Sequence, residues 1–173
     1  YPSYFKKPNY EIGDQDFSFL IKTRLVNDYV QLFDKRLNGF DNSVFSGNLK
    51  LAKNEFNISA TVPQFSYDGK RFQDIVLSGK GNRDSLNTTV SVRDFAISDS
   101  LHFPNTKLIL SSKNDISNIQ LSTSASKTIS DAQLNAQVQT FTDGVKINLF
   151  PSSFILNDKK WNLEKNGEVT IRR

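Results

Sequence analysis

The 173-residue chain has no cysteine, a single histidine and a formal charge of +4, which excludes disulfides, thiol chemistry and any two-histidine metal site. Its basic residues are scattered instead of gathered into a stripe interleaved with stacking aromatics, so nucleic acid is not an expected partner. The apolar share of 37% stays below the ~45–50% of a typical globular domain even with glycine added, the shortfall expected of a sheet that wets one whole face.

No apolar run approaches the ~18–20 residues that span a bilayer as a helix, and no signal-peptide pattern is present. The chain opens at Tyr1 and contains no methionine, so it reads as an internal piece of a longer protein whose anchor lies elsewhere. At this length it is one domain or a slice of an array.

Residues 1–13 carry Pro2 and Pro8 without a sustained period and read as an extended lead-in. From Asp16 the apolar residues Phe17, Leu20, Ile21, Leu25, Tyr29, Leu32, Phe33 and Leu37 recur at three and four. That spacing predicts an amphipathic helix over 14–38, capped by Asp14 or Asp16 and ended by Asn38-Gly39, with its apolar stripe against a sheet. The mixture of Asp28 and Asp34 into the polar side argues against the alternative, a helix lying on a membrane surface.

Beyond Gly39 the period is two. Leu49 and Leu51 alternate with polar residues; Phe56, Ile58, Ala60 and Val62 form a strand that Pro63 is expected to end; Phe65 and Tyr67 precede an Asp68-Gly69 turn. Phe72, Ile75 and Leu77 lead to Gly79-Lys80-Gly81-Asn82, which lacks the Gly-Lys-Ser/Thr order of a phosphate loop and is expected to be a turn or bulge. Leu86, Thr88, Val90 and Val92 then slip in parity to Phe95 and Ile97, which requires a bulge or break near Arg93-Asp94.

Leu108, Leu110, Ile119, Leu121, Leu134, Ala136 and Val138 continue the alternation to Asp143-Gly144. About 10–12 strands joined by short turns make an antiparallel meander. One-sided alternation of this kind is compatible with a sandwich, a filled barrel, a membrane barrel or an open curved sheet, and the period alone does not separate them. The helix and the short strands speak against the membrane barrel.

The last stretch carries the most specific signal. Val145, Ile147 and Leu149 point one way; Phe150-Pro151 breaks the ladder; Phe154 and Leu156 resume it; Asn157-Asp158 and Asn166-Gly167 supply turns around Trp161 and Leu163. The run Phe150-Pro151-Ser152-Ser153-Phe154-Ile155-Leu156-Asn157-Asp158 with Trp161 resembles a segment of the periplasmic repeats of TamB-like proteins, within the AsmA-like group. From about Asp41 onward the texture fits that resemblance.

The resemblance implies a mainly β protein: a curved, taco-like open sheet over 41–173 with one N-terminal helix. It also implies an apolar groove that carries phospholipid between the inner and outer membranes, and a link to outer-membrane protein assembly. The expected partners are phospholipid, flanking segments of the same chain and an outer-membrane barrel protein met through other regions; the expected location is the periplasm of a two-membrane bacterium. No enzyme activity, cofactor or metal is implied.

The groove wall would be Leu49, Leu51, Phe56, Ile58, Ile75, Leu77, Val90, Val92, Leu108, Leu110, Leu121, Leu134, Val138, Ile147, Leu149 and Leu156. At ~0.8 kcal/mol per methylene, a sixteen-carbon tail held there gains on the order of 12 kcal/mol. Similar successive rungs would let it slide with little change in free energy. The competing expectation is that the same side chains form a sealed core.

Signals for chemistry are sparse. His102 is expected on the wet side of a strand, and the aspartates fall mostly at turns, where they accept backbone hydrogen bonds. The alternative function is a secreted or surface β-domain, adhesin-like or carbohydrate-binding, working through loops and polar strand faces.

Overall fold

The computed structural model describes residues 16–124, 129–156, 159–163 and 167–172. In chain order these form β1 (Asp16–Lys22), α1 (Asn27–Phe33), β2 (Leu37–Gly39), β3 (Val44–Lys50), β4 (Glu55–Tyr67), β5 (Lys70–Gly81) and β6 (Ser85–Ala96). They continue with β7 (His102–Lys113), β8 (Ile116–Thr123), β9 (Ile129–Phe141), β10 (Gly144–Leu149), β11 (Ser152–Leu156), β12 (Lys159–Leu163) and β13 (Gly167–Arg172). The protein is thus mainly β with one short helix.

All described strands belong to one antiparallel sheet in the order β1-β3-β4-β5-β6-β7-β8-β9-β10-β13, which does not close into a barrel. From β3 to β10 it is the expected meander, each strand paired with its sequence neighbour. Tight turns make this possible: Asp68 and Gly69, at φ 51° and 78°, adopt the left-handed pair that matches strand twist in a two-residue hairpin.

The sheet forks at both ends. β4 pairs with β3 through Glu55–Thr61 and with β2 through Phe65–Tyr67. β9 pairs with β10 through its C-terminal part and with β11 through its N-terminal part, and β11 carries β12. Pro151 lies at the second fork, between β10 and β11, where no ladder hydrogen bond is asked of it.

The parity slip foreseen near Arg93-Asp94 is present, and it is shared by four strands. Pro63, Asp74, Arg93 and Asn105 fall in one row, because the pairings on either side of each keep the same register. Val62, Ile75 and Val92 nevertheless pack with Phe65, Phe72 and Phe95, three residues away, where a regular pleat would send them to opposite faces. Asp74 and Asn105 take up the reversal with φ of 47° and 49°. Four strands break their pleat together and so keep one register on both sides of the break.

Beyond the break stands an aromatic ladder. Phe65, Phe72, Phe95 and Phe103 are mutual partners on β4 to β7, with ring centroids 4.4, 4.6 and 5.6 Å apart, and Phe40 extends it at 4.8 Å. Val62, Ile75 and Val92, the buried cluster, rest against it.

Several expectations are corrected. The helix expected over 14–38 is confined to Asn27–Phe33, and Asp16–Lys22 is a strand. Phe17, Phe19 and Ile21 have a period of two that the three-and-four reading overrode. The Phe19 ring occupies the space above Gly47, where a Cβ would come within 2.6 Å of it, a contact that β1 makes as the ladder partner of β3. Asn38-Gly39 does not end the helix but belongs to β2.

Pro63 does not end a strand either: β4 runs through it at the row of the pleat break, where β3 has left and β2 has not yet joined. Gly79, Lys80 and Gly81 lie inside β5 because Gly79 gives room to Ile58, whose Cγ2 would sit 2.7 Å from an added Cβ. The lead-in 1–13, the Asp14 cap, the Asn157-Asp158 turn, Asn166 and the side chain of Leu156 lie outside the described residues.

Candidate functional site: an apolar wall

Ladder registers place side chains on faces, and here they sort the chemistry. One row runs Phe17, Leu49, Phe56, Gly81, Leu86, Ser112, Ser117, Val138, Ile147, Val169. The next runs Phe19, Gly47, Ile58, Gly79, Thr88, Leu110, Ile119, Ala136, Leu149, Gly167. A third runs Ile21, Phe45, Ala60, Leu77, Val90, Leu108, Leu121, Leu134, followed by Val62, Ile75, Val92 and Thr106 in a shorter row. None of these positions carries a charge.

The opposite face is polar for the most part. Ser46 and Ser59 hydroxyls meet at 2.7 Å, the Asn57 amide donates to Asn48 at 3.1 Å, and Gln137 donates to Asn118 at 2.9 Å. Lys146 and Glu168 pair at 2.7 Å on the same side. Val44, Val76 and Ile116 are apolar interruptions of it.

Of the expected wall residues, all but Leu51 and Leu156 stand in the apolar rows. Leu51 is in the turn after β3 and lines, with Leu49, Phe56, Leu86 and Leu110, a cleft of about 400 Å³ at the turn end of the wall. Leu156 is a β11 position whose backbone pairs with Ile129. The wall also includes residues outside the expected set: Phe17, Phe19, Ile21 and Phe45, together with Ile119, Val169 and Ile171, whose alternation is visible in the sequence. Register places them on the wall, since β1 and β13 supply the two ends.

The wall is graded. Near the phenylalanine ladder it is sealed, with Val62 at 4% and Ile75 at 7% exposure; farther along the third and second rows Leu134 is 44% and Leu149 39% exposed. A sealed core would bury both ends alike. Among the described residues there is no second sheet to cover the face, since every strand belongs to the one sheet, and the helix turns Tyr29, Leu32 and Phe33 outward.

One polar step interrupts the first row. Ser112 and Ser117 share a 2.7 Å hydroxyl hydrogen bond, and Ser117 is fully buried; a hydroxyl satisfied by its neighbour adds little polarity to an apolar surface.

Ionisable groups collect on the other face and at the ends of strands. His102 lies on the face opposite Phe103, with Nδ1 2.9 Å from Asp94 Oδ2 and Nε2 3.2 Å from the Asp99 carbonyl oxygen. The hydrogen bond to Asp94 holds its pKa above the ordinary histidine value. Among the described residues no group of three or more His, Cys, Asp or Glu is placed to hold a metal ion, and no helix is long and apolar enough to cross a membrane.

No protein-family model, curated protein or solved structure matches the chain. The reading of its function therefore rests on the wall itself.

Proposed function

We propose that this chain is a non-enzymatic, lipid-conducting segment of the TamB-like kind, in which the apolar face of the sheet carries phospholipid acyl chains across the periplasm while headgroups stay in water. The observation that carries the reading is the pair of charge-free rows running from β1 to β13, with two shorter ones beside them and no second sheet over them among the described residues. Such a surface binds a tail by the hydrophobic effect, which is non-directional and so tolerant of sliding. Rows of apolar and small uncharged side chains on strands ~4.8 Å apart offer a tail a succession of charge-free positions along the wall.

On this reading the flanking segments of the same chain continue the wall past β1 and β13. An outer-membrane barrel partner is met through other regions of the longer protein.

The test is photocrosslinking from residue 121 or 134 during expression in a two-membrane bacterium, with extraction of the adduct. Phospholipid attached at either position is the expected result, together with a folded Leu121→Arg variant that captures little. Silence at both positions with glycan captured from the turns would replace this reading with a carbohydrate-binding β-domain. Failure of Leu121→Arg to fold would mark the position as part of a closed core.

A further inference from the structure

The short helix is mounted backwards for a packing element. Its polar side faces the sheet: the Asp41 carboxylate accepts the Val26 and Asn27 N–H groups at 2.6 and 3.2 Å, Asn27 Oδ1 accepts the Gly39 N–H at 2.8 Å, and the Gln31 amide donates to Asn38 at 2.5 Å. Thr23 secures the preceding bend by donating to the Phe40 carbonyl at 2.5 Å while its hydroxyl accepts the Ser43 N–H at 2.7 Å.

This leaves the apolar side outward. Leu25, in the bend before the helix, and Tyr29, Leu32 and Phe33 on it are 81, 66, 82 and 89% exposed, and the spacing of the last three puts them on one side of the helical turn. They are held in water by hydrogen bonds on the opposite side, an arrangement that a packed helix would reverse.

The surroundings indicate what this finger is for. Lys22, Arg24 and Lys35 flank it, are exposed and, among the described residues, form no ion pair. Arg36 is engaged with Asp34 at 2.7 Å. Asp28, exposed at the margin of the finger, is the carboxylate that opposes this trend. Four apolar side chains fall far short of the ~20–30 residues a side of a stable protein interface, whereas aromatic and leucine side chains ringed by free cations suit a bilayer's headgroup boundary.

We propose that Leu25, Tyr29, Leu32 and Phe33 form a membrane-contact finger that seats on an anionic bilayer surface. The inference does not depend on the conducting wall, which lies on the sheet and uses none of these residues. Its place beside β2, which pairs with the phenylalanine-ladder end of β4, puts a bilayer contact next to one rim of that wall.

The experiment is co-sedimentation of the protein with phosphatidylcholine vesicles, with and without phosphatidylglycerol. A Phe33→Trp variant reports insertion by a blue shift. Expected are association with the anionic vesicles, a loss of about tenfold or more in Leu32→Glu/Phe33→Glu, a smaller loss in Arg24→Glu, and a gain in Asp28→Asn.

Folding of the double variant is checked by circular dichroism. Binding that survives Leu32→Glu/Phe33→Glu, or no binding at all, overturns the proposal. A concentration-dependent dimer that the double variant abolishes would also overturn it, in favour of a second copy of the chain as the occupant.

Discussion

The Cγ2 methyl of Ile58 fills the place above Gly79 that a side chain there would need: a Cβ built on Gly79 lies 2.7 Å from that methyl and 3.2 Å from Thr88 Oγ1. Ile58 and Gly79 are ladder partners on β4 and β5, so neither can be moved aside without disturbing hydrogen bonds. Gly79→Ala should destabilise the protein by about 1–3 kcal/mol through overpacking. In the Ile58→Ala background the same change should cost much less, the non-additivity of residues in contact. Urea unfolding of the four proteins measures both. Gly69→Ala is the control: its Cβ would meet nothing within 4 Å, and the φ of 78° alone should cost about 1–2 kcal/mol.

Phe72 stands in the middle of the aromatic ladder, with Phe65 on one side at 4.4 Å and Phe95 on the other at 4.6 Å, and it rests against the Val62, Ile75 and Val92 cluster. Phe72→Ala should remove two ring contacts and part of that cluster's cover, for a loss of about 2–4 kcal/mol, somewhat below a fully buried phenylalanine because this one is only partly buried. Phe103→Ala, at the end of the ladder with one stacking partner at 5.6 Å, should cost clearly less. Equal losses would mean that the rings do not act as a stack.

The sheet was legible because its cue is local. Alternation in Phe56-Ile58-Ala60-Val62 or Leu108-Leu110 needs only neighbouring residues, and Asp68-Gly69 states its own turn chemistry. The shared pleat break was half legible: the slip from Val92 to Phe95 is visible in one strand, but its alignment with Pro63, Asp74 and Asn105 depends on register. The phenylalanine ladder could have been found, since Phe65 and Phe72 are placed symmetrically about the Asp68-Gly69 turn.

The helix over 14–38 misled for a physical reason. Leu20, on the outer face of β1, supplied a spurious step of three, and the stripe of Leu25, Tyr29, Leu32 and Phe33 was assumed to seek the sheet. Asn27 and Gln31, on the polar side, instead hold the helix to β2. Periodicity identifies two sides of a helix but does not say which faces inward when hydrogen bonds can fix either.

Asn105 carries the pleat break in β7 with φ of 49°, a conformation asparagine tolerates and β-branched residues resist. Its side-chain amide also donates to Ser124 Oγ at 2.8 Å. Asn105→Val should therefore cost about 1–2 kcal/mol or more, and Asn105→Gly, which keeps the backbone free but loses the hydrogen bond, should cost less. Chemical denaturation ranks the three. A valine variant as stable as the parent would show that β7 regains a regular pleat there and that Phe103 does not need the break.

On the polar face, Asp94 and His102 lie beside the Phe95–Phe103 rung of the ladder and join across it at 2.9 Å. The hydrogen bond to Asp94 is the main cause of the raised His102 pKa; partial desolvation and the nearby Arg71, itself paired with Asp99 at 2.8 Å, act against it, while the Asp99 carbonyl adds to it.

A histidine whose folded pKa exceeds its unfolded value contributes stability that is fully present below the unfolded value, and loses it as pH rises through the folded one. The window therefore opens near the ordinary histidine value of 6.5 and extends upward. Titration of the His102 ring by NMR should give a midpoint above 6.5 that falls in Asp94→Asn. The stability advantage of the parent over that variant should be largest on the acid side and shrink as pH rises through the parent's midpoint. Identical midpoints in the two proteins would mean that the pair does not form in solution.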